Sequence, residues 1–90
     1  MTQPARVLVL TRPGCHLCEV AVAVVRDVCR QTSTTYEERD ITSDDELTQR
    51  YRDQIPVTFV DGVQHDYLRV DADRLAAALS RPPGQRRQRG

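Results

Sequence analysis

Ninety residues make one domain with a small core, since a chain of this size buries only roughly 60–65% of its unfolded surface, and no second functional unit fits beside it. Thirteen basic residues, every one an arginine, balance thirteen acids, and they segregate: residues 1–80 hold nine Arg and all thirteen acids, residues 81–90 four Arg and no acid. The polar residues 1–6 argue against a signal peptide and the longest apolar run, six residues at 20–25, against a membrane span. A cytoplasmic protein is expected, whose cysteines are catalytic or metal-binding rather than structural staples.

The apolar residues at 7–10 predict a buried strand, broken by Pro13-Gly14, and a helix is predicted over 15–31. Cys15 falls at or just before its first position and Cys18 one turn deeper. Residues three apart on a helix have β-carbons roughly 5–6 Å apart, so a small adjustment allows a disulfide to open and close. The unpaired N–H groups and partial positive charge of a helix N-terminus favour a thiolate over a thiol. Cys15 is therefore expected to be the exposed, acidic nucleophile, with a pKa below the roughly 8.5 of a free thiol. Cys18 is expected to be the less accessible partner that resolves a mixed disulfide. His16, if protonated, would add to the stabilisation of that thiolate; the rival reading is that it merely covers the helix end.

Along this helix Glu19, Arg26 and Arg30 draw a polar stripe, and Leu17, Ala21, Val24, Val25 and Val28 face the core with Cys29. Cys29 lies eleven residues past Cys18, about 16 Å along the axis at 1.5 Å per residue, and cannot join the first two cysteines. A C-x-x-C is also half of a zinc or iron–sulfur site, so a metal-binding protein using Cys15 and Cys18 is the alternative. A non-catalytic interaction module with the same fold is another.

Residues 35–41 read as an edge strand, β-branched and aromatic at first and then charged. Ser43-Asp44-Asp45-Glu46 has the form of a capping box, which starts a second helix at Ser43 that ends near Asp53. Two short strands follow at 55–60 and 63–68, joined by the hairpin signal Asp61-Gly62. Pro56 has no N–H for a ladder and belongs at a strand start or a sheet edge. Asp71 caps a last helix containing Leu75, Ala78 and Leu79, stopped by Pro82-Pro83-Gly84. Residues 1–80 form the expected domain and 81–90 a basic, disordered tail. The expected fold is α/β, β-α-β-α-β-β-α, with a four-stranded mixed sheet and helices on both faces.

Arg12-Pro13-Gly14-Cys15-His16-Leu17-Cys18 after the first strand, with Ile55-Pro56-Val57-Thr58-Phe59-Val60-Asp61-Gly62 later, resembles the glutaredoxin branch of the thioredoxin superfamily over about residues 6–79. The resemblance implies a thioredoxin-like fold with sheet order 4-3-1-2 and the third strand antiparallel to the rest. It implies thiol–disulfide oxidoreductase activity, in electron transport and cell redox homeostasis, with Cys15 as nucleophile and Cys18 resolving. Arg12 maps to the basic residue before the nucleophile. Pro56 maps to a cis proline beside the cysteines, preceded by Ile55, whose backbone pairs with a bound thiol peptide. Asp73 matches an acidic position at the last helix start. The chain has Gln54-Ile55-Pro56 where glutaredoxins usually read Thr-Val-Pro, and Val70-Asp71 where they read Gly-Gly, which weakens small-thiol capture. No bound cofactor or metal is expected, and a low-molecular-weight thiol such as glutathione is the co-substrate in view. Expected partners are a disulfide-containing protein or a small-thiol mixed disulfide, not a membrane or nucleic acid, and a monomer is expected.

Overall fold

The computed structural model describes residues 5–82. The basic tail foreseen for 81–90 therefore lies, from residue 83 on, outside the described residues. The chain runs β1 (Val7–Thr11), α1 (His16–Gln31), β2 (Tyr36–Asp40), a 3-10 turn (Ile41–Ser43), α2 (Asp45–Tyr51), β3 (Val57–Val60), β4 (Val63–Tyr67) and α3 (Ala72–Leu79). The four strands form one sheet in the order β2-β1-β3-β4, which is the expected 4-3-1-2 read from its other edge. β1 and β2 are parallel, and β3 is antiparallel to both β1 and β4.

Alternation along β1 decides which helix covers which face. Val7 and Val9 pack with Val25, Val28 and Cys29 of α1 and Leu75 and Leu79 of α3. Leu8 and Leu10 turn to the other face, with Ile41, Leu47 and Tyr51 around α2. That second cluster also holds Cys15, Cys18 and Ile55, so the face under α2 ends at the cysteine pair. Asp61 and Gly62 both take positive φ, 51° and 84°, as a two-residue hairpin turn requires when Val60 pairs with Val63.

Three expectations are corrected. The second helix is not capped by Ser43: that residue closes the 3-10 turn, and Asp44 is the N-cap, accepting the Leu47 N–H at 3.0 Å. The cause lies upstream, where Asp40 accepts the Thr42 N–H at 2.8 Å and its hydroxyl at 2.7 Å, tightening residues 41–43 into a turn of their own. The second strand accordingly stops at Asp40, releasing Ile41 into the core. Leu17 does not join the buried face of α1; it keeps 39% of its surface exposed.

Candidate active site

The loop between β1 and α1 carries the site. Gly14 takes φ 71°, a left-handed conformation that turns the chain out of the strand and lets Cys15 begin the helix. Cys15 is the N-cap of α1, and its Sγ accepts the Cys18 backbone N–H at 3.1 Å. The two cysteines stand at disulfide distance, with Cα atoms 5.2 Å apart. Cys15 is less open than expected, at 9% exposure, because it packs in the cluster with Leu10, Ile41 and Ile55; Cys18 is deeper, at 3%. Cys15 is the more accessible of the two, although it is itself recessed.

A groove of about 370 Å³ reaches both cysteines from the side of α1 and β2, and Arg12, Glu19, Arg26 and Glu38 line it. Arg12 thus shares this groove with the two cysteines. His16 opens α1, is 85% exposed on its side chain, and has Nδ1 3.9 Å from Glu19 Oε1. Ile55 is buried against the cysteine cluster and its peptide bond to Pro56 is cis. Asp73 lies in the first turn of α3, behind the N-cap Asp71 that accepts the Arg74 N–H, and the groove is lined without it.

Sequence reading missed how the β4–α3 loop fastens this proline. Leu68 donates its N–H to Pro56 O at 2.7 Å and to Gln54 O at 3.3 Å, bridging the carbonyls on either side of Ile55. It does so with φ 67°, a conformation that a leucine gives no reason to expect. Cys29, by contrast, is where the sequence put it: buried and free, its thiol pKa raised by that burial, as befits an inert core residue. Among the described residues no three His, Cys, Asp or Glu side chains converge as a metal site, and no helix is long and apolar enough to cross a membrane.

A recessed cysteine pair at the head of a helix, beside a cis proline on a 2-1-3-4 sheet, is a redox site of the thioredoxin kind. The model of the glutaredoxin-like domain (DUF836) matches residues 6–80. The chain belongs to this glutaredoxin-like family. An uncharacterized protein of Mycobacterium tuberculosis is 29% identical over 96 residues, spanning 96% of this chain and 98% of its own. A protein of Nitrosomonas europaea, solved by solution NMR, is 30% identical over 87% of this chain and 94% of its own, with a TM-score of 0.71. The thioredoxin of Fasciola hepatica, only 14% identical, superposes with a TM-score of 0.54 over 82% of this chain and 76% of its own, which speaks to the fold alone. This glutaredoxin-like domain therefore joins a thioredoxin fold to a redox-type C-x-x-C pair.

Proposed function

We propose that the protein is a thiol–disulfide oxidoreductase working through both cysteines. The observation that carries this is the bond from the Cys18 N–H to Cys15 Sγ at the N-terminus of α1. A donor aimed at that sulfur, at the positive end of a helix, stabilises the thiolate over the thiol. In the reduced protein the Cys15 thiolate attacks one sulfur of a substrate disulfide; the other sulfur leaves as a thiolate and takes up a proton. Cys18, deprotonated, then attacks Cys15 Sγ, expelling the second substrate sulfur as a thiolate. The substrate gains two electrons and two protons, and the protein is left with the Cys15–Cys18 disulfide. An external thiol returns it to the dithiol; a low-molecular-weight thiol such as glutathione or an equivalent is the class proposed. The charge of Arg12, which lines the groove with both cysteines, favours an anionic sulfur there. A reducing compartment such as the cytoplasm suits the cycle.

The test is the Cys18→Ser variant mixed with a protein disulfide. It is expected to accumulate a covalent mixed disulfide through Cys15 and to lose most turnover, because the tethered Cys18 thiol acts at an effective concentration that a free thiol does not match. Full retained activity with no trapped intermediate would remove the two-cysteine mechanism.

A further inference from the structure

Among the described residues three other than glycine have positive φ. Two are ordinary: Asp61 sits in the hairpin turn, and Ser33 directly follows the C-cap of α1, both short polar residues of the kind found in tight turns. Leu68 is neither short nor polar. The Arg69 N–H donates to Tyr67 O at 2.7 Å, which makes Leu68 the centre of a three-residue turn with an i→i+2 hydrogen bond. With φ at 67° this is the positive-φ form of the γ-turn, which is rare and strained. Such a residue persists only where its surroundings over-determine it, and such residues gather at functional sites.

Here the surroundings are the cysteine site. The same Leu68 N–H clasps Gln54 O and Pro56 O, and Ile55 between them packs against Cys15 and Cys18. Glycine would make this turn and this clasp without strain, so the clasp does not account for a leucine side chain. That side chain is not spent on the core either, since Leu68 is 38% exposed. Leu17, between the two cysteines in the chain, is likewise 39% exposed. Neither residue offers a counter-charge to a charged ligand, and both lose water-exposed apolar surface against an apolar one.

We propose that Leu68 is a specificity-determining residue of the site. The strained turn ties the Leu68 backbone to the carbonyls on either side of Ile55, and from there its exposed side chain receives an apolar residue flanking the disulfide cysteine of a polypeptide substrate. The selected substrate class is thus a protein disulfide in an apolar sequence context. This rests on the disulfide-exchange reading above.

Two synthetic peptides test it, each with one cysteine in mixed disulfide with a chromophoric thiol, flanked by Leu in one and by Asp in the other. The unmodified protein is expected to prefer the Leu peptide in kcat/KM by about tenfold, the discrimination that a single apolar contact gives. Leu68→Ala and Leu68→Gly are both expected to bring the ratio close to one. Leu68→Gly, which relieves the turn, is expected to melt higher than Leu68→Ala. A ratio that survives in both variants, or a Leu68→Gly protein that melts lower than Leu68→Ala, overturns the proposal. Should the unmodified protein reduce neither peptide, the exchange reading fails instead. Equilibrium binding of the same peptides with serine for cysteine then decides the role of Leu68: the preference must be present in the unmodified protein and lost in Leu68→Ala, and equal affinities refute it.

Discussion

The two cysteines are distinguished by backbone and burial. Cys15 receives an N–H at the head of α1, while Cys18, one turn in and 3% exposed, has only its place in the cluster. A second titratable residue, His65, has consequences for stability rather than chemistry. Its side chain is 13% exposed, and Nε2 has no hydrogen-bond partner among the described residues, standing 4.0 Å from Asp66 Oδ2. Burial first and Arg74 second push its pKa below the ordinary 6.5, against the opposing pull of Asp66 and Asp71. A group with a depressed folded pKa holds its proton more weakly when folded than when unfolded, so protonation favours unfolding. The His65 contribution is therefore complete above about pH 6.5, declines as pH falls toward the folded pKa, and is flat below it. Urea midpoints at about pH 7.5 and about pH 5 are expected to fall for the natural protein and to fall less for His65→Gln. Equal declines would assign the acid sensitivity to other groups.

At the scale of elements, local chemistry competes with neighbouring chemistry. Ser43 and Glu46 have the spacing of a capping box, but Asp40 claims residues 41–43 first, and the cap moves one residue on to Asp44. α2 has seven residues and no buried one, so its cap carries a large share of its definition. Asp44→Ala is expected to cost about 1 kcal/mol, the usual value of such a cap. Ser43→Ala is expected to stay within about 0.5 kcal/mol, as a surface change away from any special feature does. Urea unfolding of the two variants checks this, and a larger loss for Ser43→Ala would return the cap to Ser43. β1, α1, the β3–β4 hairpin and α3 were legible because each is bounded by a strong local signal: Pro13-Gly14, Asp61-Gly62, and Asp71 at the head of α3. Cys15 and Cys18 were legible through spacing, and the cis bond at Pro56 only through family likeness. Leu68 was not legible, because its conformation is imposed by carbonyls twelve and fourteen residues earlier in the chain and not by its own preference.

Across the whole molecule, one residue that the sequence presents only as a polar flank of β1 joins three distant segments. Arg6 donates Nε to Asp61 Oδ1 at 3.1 Å and one terminal nitrogen to Oδ2 at 2.9 Å, a two-pronged pair whose side chains are 18% and 12% exposed. It also donates to the carbonyls of Leu79 and Arg81, at 3.3 and 3.0 Å, where α3 ends. The start of β1, the β3–β4 hairpin and the end of α3 thus share one guanidinium. Its planar fork spans these acceptors as a lysine ammonium does not. Hydrogen bonds to a charged group each contribute about 1.5–3 kcal/mol in buried settings, and partial exposure lowers that, so Arg6→Ala is expected to cost about 2 kcal/mol. Asp61→Asn preserves a residue that tolerates positive φ while removing the charge. In the Asp61→Asn background, Arg6→Ala is expected to cost less than it does alone, and the remainder reports the bonds to α3. Strict additivity of the two changes in unfolding free energy would mean that the ion pair contributes nothing and that Arg6 acts on the helix end alone.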